Sequence, residues 1–423
     1  MAPKSAAVLD LVRSGGVRSV YQPIVDLDTG ATVAFEALAR GPHGHPLERP
    51  DRMFDSAREH GCVGELDEAC QWSAITSAVA AGLGAPWSLF VNVEPAALDW
   101  AMVRTDAAAE AAGVDRQRYR VDLDLPIVVE ITERDLSVDP PSLLRFVDRI
   151  RGWGGGIALD DVGAERASLA LLPLLRPDVI KLDLRVVQER PGREIAEIVA
   201  AVDAEAERSG TIVLAEGIET PEHLEHARAL GARLGQGWLL GRPGPLPDLS
   251  TLPAPAPGAI RVEHRAGLVR EDSPFTVAAA HSDPRTARKL LLTEISKHLE
   301  NEALHLGRSA VVVTALQHVR FFTPRTARRY ERLADQVAFA AVLGEDVPTH
   351  PLPGVRGGPL HTGDPLLGEW DLAVLGPHFG AALVARDLGD SGPDAERRFE
   401  YVLTHDRAVA VAVAAALLSR VTG

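Results

Sequence analysis

The 423-residue chain is 46% hydrophobic and 24% charged, an ordinary globular balance, and no apolar run approaches the roughly 18 residues of a membrane span. Its formal charge of −15 lies almost wholly in the first 250 residues, which argues against binding long nucleic acid but leaves room for a small phosphorylated ligand held through a metal. Cys62 and Cys70, the only cysteines, lack metal-type spacing, and the N-terminal apolar run breaks at Asp10 and Arg13, so a cytoplasmic protein without a secretory signal is expected.

Two domains are expected at this length, because single cores stop growing near about 250–300 residues. The proline-dense stretch RPGPLPDLSTLPAPAPGAI (242–260) has neither helical nor strand period and reads as a semi-rigid linker. The expected division is a first domain over 1–250, a linker over 251–265 and a smaller second domain over 266–423.

In chain order, β-rich runs open the first domain at YQPIVDL (21–27) and TVAFEALA (32–39). The turn between them is too short for a helical crossover, so they should pair as an antiparallel hairpin. Further runs follow at SLFVNV (88–93), IVVEIT (127–132), GIALDD (156–161), VIKLDL (179–184), TIVLAEG (211–217) and GQGWLL (235–240). Helical segments separate most of the later runs: PPSLLRFVDRIRGWGG, REIAEIVAAVDAEAERSG and PEHLEHARALG. Such alternation implies βαβ units and a mainly parallel sheet. Eight strands in about 250 residues fit an α/β barrel better than an open doubly wound sheet, which shares the local pattern.

Barrel enzymes build their sites at the C-terminal ends of the strands. Those ends carry Glu36, Asn92, Glu130, Asp160 with Asp161, Lys181, Glu216 and Gln236. Any one of these is an ordinary turn or cap residue; a series over seven successive strands is not. Carboxylates and an Asn carbonyl are hard oxygen ligands, suited to Mg²⁺ or Mn²⁺. The adjacent pair in GIALDDVGAERASL is the most informative. Alone, Asp160-Asp161 reads as a turn or helix cap. Among these neighbours, one carboxylate can bridge two ions while the other serves the second. Two ions about 3.5–4 Å apart are a common device for in-line attack on phosphorus. Lys181 either orders the attacking water or pairs with a neighbouring carboxylate. These residue types together suggest phosphodiester hydrolysis.

The same residues resemble the EAL-domain phosphodiesterases, which hydrolyse the bacterial second messenger cyclic di-GMP. The name motif is Glu36-Ala37-Leu38, and the match continues in order through LFVNV, VVEITE, IALDDVG, VIKLDL, LAEGIET and LGQGWLLGRP, across about residues 15–245. The resemblance implies a (β/α)8 TIM-like barrel whose first strand runs antiparallel, with linear pGpG as product. It assigns Glu36, Asn92, Glu130 and Asp160 to a first metal. Asp160 and Asp161 serve a second, assisted by Glu216. Lys181 positions the attacking water, and Gln236 helps hold the nucleophile or the metal shell. Arg40 grips a substrate phosphate, Gln22 lies near the guanine pocket, and Glu219 steadies the loop after the aspartate pair. Homodimerisation is a further expectation from the family. The chain departs from the usual DDFGTGYSSL at Val162 and Ala164-Glu165, has Gly41 where the family has Trp after the arginine, and has Glu94 for the Ser of VNxS. Every ligand-type residue is intact, which favours an active enzyme over a cyclic di-GMP receptor that signals without turnover; a scaffold binding no nucleotide would not keep these strand ends.

After the linker, PRTARKLLLTEISKHLENEALHLG has helical apolar spacing at Leu290, Leu291, Ile295, Leu299 and Leu304. It suits a signalling or dimerising helix, or a core-facing helix of its own domain. Strand-like runs follow at SAVVVTAL, VAFAAVLG, DLAVLG and GAALVARDL, and DAERRFEYVLTHDRAVAVAVAAALLSRV reads as one closing helix. Three segments, FFTPRTARRYERLADQVAFAAVLG, VLGPHFGAALVARDLG and RRFEYVLTHDRAVAVA, resemble the DICT sensory domain, which implies a regulatory input of unspecified ligand. No cysteine there could carry a chromophore; His318, His378 and His405 are scattered, and Arg325, Arg328, Arg329 and Arg332 read as a solvated helix face.

Overall fold

The computed structural model describes residues 4–94, 125–132, 140–164, 166–170, 172–256, 258–260, 262, 267, 272–391 and 393–422. Its N-terminal part is a closed barrel of eight strands in sequential order. These are β1 (Arg18–Asp26), β2 (Thr32–Arg40), β3 (Ser88–Asn92), β4 (Ile127–Ile131), β5 (Gly156–Val162), β6 (Val179–Leu182), β7 (Ile212–Ala215) and β8 (Leu234–Gly235). The expected hairpin is present: β1 and β2 pair antiparallel, with Gln22 opposite Glu36. From β2 onward the pairing is parallel, and β8 closes the barrel against β1 antiparallel. The strands are short and buried on both faces, as a barrel wrapped in helices requires.

Helices α1 (Lys4–Arg13), α2 (Pro50–His60), α3 (Val63–Ala80), α4 (Pro140–Gly152), α5 (Leu172–Leu175), α6 (Leu184–Gln188), α7 (Arg193–Ser209) and α8 (Pro221–Ala229) belong to this part. The last β-rich run, GQGWLL, is strand only at Leu234–Gly235. Gly237 takes φ 154°, and a Cβ there would lie 2.2 Å from the Ile218 carbonyl oxygen, so the backbone turns where alternation alone would have continued. At the barrel floor, Ile24, Phe90, Val128, Ala158 and Val179 pack with Ala259 and Ile260. The proline-rich seam is therefore partly seated beneath the barrel rather than wholly a spacer. Residues 257, 261 and 263–266 of that seam, and Glu165 of the altered loop, lie outside the described residues.

The C-terminal part contains α9 (Pro274–Ala279), β9 (Arg285–Arg288), α10 (Lys289–Leu306), β10 (Val311–His318), α11 (Pro324–Gln336), β11 (Phe339–Glu345), β12 (Arg356–Pro359), β13 (Glu369–Leu375), β14 (Gly380–Asp387), β15 (Arg398–Thr404) and α12 (Arg407–Leu418). Its seven strands form one mixed sheet in the order β12-β11-β10-β13-β14-β15-β9. Two expectations are corrected here. The closing segment is a strand and then a helix: Arg398–Thr404 pairs with β14, and Asp406 caps α12 by accepting a hydrogen bond from the Val409 amide. Likewise Arg285–Arg288 is an edge strand on β15, and the helix begins only at Lys289. Leu292, Leu299 and Ala303 turn α10 toward its own sheet, while Leu290 and Leu291 are exposed. Arg329 pairs with buried Glu300 on α10, so that part of the basic run has a structural role.

Candidate metal centre at the mouth of the barrel

Successive side chains on a strand point to opposite faces, so two adjacent aspartates should not reach one site. The end of β5 breaks that rule. Its pairing with β6 shifts between Leu159 and Val162, and Asp161 adopts a left-handed φ of 53°, a conformation Asp tolerates better than most residues. This bulge turns Asp161 back toward Asp160. Oxygen atoms of Asp160, Asp161 and Glu216 come within 4.8 Å of one another, a spacing that can hold a cation.

Lys181 enters from β6 and is fully buried. Its Nζ lies 2.6 Å from Glu130, 2.9 Å from Asp160, 3.0 Å from Glu216 and 3.8 Å from Glu36. Both expected functions of this lysine are thus open to it, since its ammonium group sits amid the carboxylates that line the mouth. Burial opposes its charge, but Asp160, Glu130, Glu216 and Glu36 outweigh burial and hold its pKa well above the ordinary value. Burial, reinforced by Glu36 and Asp160 and opposed by Lys181, drives Glu130 well above the usual carboxylate range. Glu216 is pushed up to about 8, chiefly by burial, with Lys181 acting in the opposite direction. Glu36 is shifted the other way: burial raises its pKa, but Lys181 and hydrogen bonds from Gln236 and Asn92 lower it further.

The remaining strand-end residues complete this cluster. Asn92 Nδ2 donates to Glu36 at 3.1 Å, which fixes the amide and leaves its carbonyl oxygen available as a ligand. Gln236 Nε2 donates to Glu36 and, at 3.1 Å, to Gln22, while Gln22 donates at 3.0 Å to the Gly241 carbonyl. Gln22, Glu36 and Gln236 therefore form one chain of contacts across the β1–β8 seam. Arg40 lines a cleft of about 590 Å³ that also contains Glu36, Asn92 and Asp161. Glu219 stands apart: it is exposed, and among the described residues its amide bonds to His223 while no side-chain hydrogen bond joins it to residues 160–164.

One ammonium group cannot balance four ionised carboxylates, and the raised pKa of Glu130 and of Glu216 expresses that cost, which divalent cations would remove by sharing the charge. Among the described residues, Lys181 is the cation against fully buried Glu130, and neither carboxyl oxygen has a well-directed hydrogen-bond donor besides it. A hard oxygen set with this charge fits divalent cations.

Strand-end reasoning missed the side wall of the cleft, formed by Arg58, Asp67, Cys70 and Gln71 on α2 and α3 together with Glu94. Asp67 is 2% exposed, accepts hydrogen bonds from the Glu94 amide and Gln71, and is pushed well above its ordinary pKa by burial. An acid within the apolar spacing of α3 was the available signal. Glu94, one of the departures from the family pattern, pairs with Arg58 at 3.3 Å.

An uncharacterised protein, y4lL of Sinorhizobium fredii, is 34% identical over 237 residues, covering 54% of this chain and 26% of that protein. The cyclic di-GMP phosphodiesterase RocR of Pseudomonas aeruginosa is 31% identical over 251 residues, covering 56% of this chain and 61% of RocR. The chain thus spans less than two thirds of either relative. Among solved structures, the manganese and cyclic di-GMP complex of Klebsiella pneumoniae BlrP1 aligns at 28% identity and a TM-score of 0.45, over 54% of this chain and 56% of that one. Residues 275–388 match the DICT domain, a sensory domain of diguanylate cyclases and two-component systems. Residues 5–243 match the EAL domain, more than half of the sequence, and the chain belongs to the EAL domain family.

Proposed function

We propose that this protein is a metal-dependent phosphodiesterase that hydrolyses cyclic di-GMP to linear pGpG, with a barrel domain over 1–250, a linker over 251–265 and a regulatory sensory domain over 266–423. The observation that carries the reading is the bulged end of β5, which gathers Asp160, Asp161 and Glu216 beside Lys181. RocR and other relatives of similar identity bear the name cyclic di-GMP phosphodiesterase.

In this reading Glu36, Asn92, Glu130 and Asp160 hold one Mg²⁺ or Mn²⁺, and Asp160 with Asp161 holds a second, assisted by Glu216. Such cations, when bound, supply Lewis acidity and neutralise charge at phosphorus. The chain's own residues do the rest. Arg40 binds a phosphate oxygen, Gln22 borders the nucleotide, and Gln236 fixes the Glu36 carboxylate. Lys181 orients the water whose oxygen forms the new bond to phosphorus as the bond to the 3′ oxygen breaks, and the freed 3′ oxygen takes up a proton. Glu219 serves as a support for the loop after the aspartate pair. Homodimerisation and a cytoplasmic location complete the proposal.

The test is chromatography of cyclic di-GMP incubated with the full chain, with Mg²⁺ or Mn²⁺, with chelator, and with Glu36→Ala. Formation of pGpG that requires both the metal and Glu36 is expected. Tight binding of the nucleotide without conversion would instead identify a receptor and direct attention to Val162 and Ala164, where the loop departs from the family pattern.

A further inference from the structure

The cleft beside the metal centre is larger than a single phosphodiester requires. Its volume of about 590 Å³ is that of a site for a whole small ligand, and its lining runs from Glu36, Asn92 and Asp161 out to α2 and α3. Among the described residues that line it, two carry a positive charge, Arg40 and Arg58. Arg40 ends β2, four residues after Glu36, and so stands on the metal side. Arg58 belongs to α2 and to the side wall, away from the strand ends that gather the carboxylates.

Arg58 is held at two points. Its Nη1 donates to Asp55, one turn earlier on α2, at 3.0 Å, and its Nη2 donates to Glu94 at 3.3 Å. The first contact lies within the helix and fixes the guanidinium; the second crosses to the segment after β3. The side chains of Arg58 and Glu94 are 53% and 28% exposed, so their pairing contributes little and exchanges readily. Glu94 stands where the family has Ser, and an unpaired carboxylate there would repel a phosphate entering the cleft. Arg58 cancels that charge until a ligand arrives.

A cyclic dinucleotide carries two phosphodiesters on opposite sides of its ring. When one is at the metal centre, the other lies out in the cleft with no cation of its own. We propose that Arg58 is the anchor for this second phosphate and that the Glu94 carboxylate holds its place. Entry of the ligand moves Nη2 from Glu94 to a phosphate oxygen while Nη1 stays on Asp55. The assignment rests on the cyclic di-GMP reading of the site. A guanidinium suits the exchange, because its planar fork serves two acceptors at once and binds phosphate through charge-assisted hydrogen bonds. Arg58 therefore selects ligands with two phosphates over ligands with one, and takes no part in bond breaking.

The test uses the full chain and two probes, cyclic di-GMP and the linear dinucleotide GpG, which has one phosphodiester and no terminal phosphate. Dissociation constants for both are measured by calorimetry in Ca²⁺, and KM and kcat for cyclic di-GMP in Mg²⁺ or Mn²⁺. Arg58→Ala should weaken cyclic di-GMP and raise its KM about tenfold, the scale of one lost charge-assisted hydrogen bond, with kcat within about twofold. Its affinity for GpG should hardly change. Glu94→Ser keeps the amide that donates to Asp67 and should tighten cyclic di-GMP by up to about fivefold, the strength of one exposed pair. Added to Arg58→Ala, it should restore part of the loss, since the bared carboxylate is then gone. Equal losses for the two probes, or none for cyclic di-GMP, would overturn the anchor, as would a double variant no better than Arg58→Ala. Metal-dependent formation of pGpG with an unchanged KM in Arg58→Ala keeps the enzyme and loses the anchor. Selective loss of cyclic di-GMP binding in a chain that makes no pGpG keeps the anchor and loses the enzyme. A chain that binds no cyclic di-GMP overturns both.

Discussion

Lys181 has no exposed surface, and among the described residues it is the one cation in contact with Glu36, Glu130, Asp160 and Glu216. Removing one partner from a buried charge cluster costs about 3–5 kcal/mol where the remaining charges cannot adapt. Here Glu130 and Glu216 already favour the protonated form, so part of that cost should be relieved by proton uptake. Lys181→Met should therefore fold with a lowered Tm and recover part of the loss on addition of Mn²⁺. Its turnover of cyclic di-GMP should fall by about 10²–10⁴-fold, the usual loss with a proton-handling or water-orienting group. A variant with near-normal kcat would reduce Lys181 to a counter-charge. The residue types at the strand ends were legible from sequence, because each closes an apolar run. Their mutual distances were not: nothing in VIKLDL says that its lysine meets four carboxylates, three on β2, β4 and β5 and one just past the end of β7.

Two turns shape the site at the level of elements. The bulge at the end of β5 sets both aspartates to one side, and the turn at Gly237 aims Gln236 at Glu36. Gly237 combines φ 154° with backbone packed where its Cβ would stand, both the carbonyl oxygen and the amide nitrogen of Ile218 lying within 2.3 Å. Gly237→Ala must move that backbone, at a cost of about 1–3 kcal/mol. The expected outcome is a lower denaturation midpoint together with a rise in KM, since Gln236 and the neighbouring Gln22 shift with the turn. An unchanged midpoint would mean that the turn relaxes freely. Sequence alternation located the barrel strands but overran at GQGWLL, because it records burial and cannot see a backbone that doubles back. It failed in the opposite direction at RRFEYVLTHDRAVAVAV, where helical residues hid a strand. The break there is Asp406, a capping residue whose amide partner identifies the helix start only once the fold is known.

In the molecule as a whole, buried acids outside the metal centre make stability depend on pH. Asp371 is fully buried on the central strand β13, and burial first, then the Glu369 charge, push its pKa well above 3.8. Above pH 3.8 the unfolded chain has released a proton that the folded chain keeps. The folded state therefore binds more protons, and stability falls as pH rises from 3.8 toward the raised folded value; below 3.8 the penalty is absent. Asp371→Asn removes this titration and should flatten the curve of Tm against pH across that interval. An unaltered slope would assign the pH dependence to other acids, such as Asp67. Among the described residues no helix is long and apolar enough to cross a membrane, and the apolar surface of α12 is instead buried against α9 and the sheet of its own domain, with α4 and α5 of the barrel at its margin.

The sequence by itself determined the strand–helix alternation of the first domain, its antiparallel opening hairpin and the identity of the polar residues at the strand ends, while closure into a barrel was only favoured by strand count and implied by the family resemblance. These depend on local period, on turn length and on residue chemistry, all of which act between near neighbours in the chain. Only the tertiary structure decided that Asp160 and Asp161 share a side, that Lys181 stands among four acids, that α2 and α3 wall the cleft, and that α12 lies against α9 and its own sheet. Each of these is set by contacts across long stretches of sequence, where the choice depends on which surfaces fit together and which charges must be buried in company.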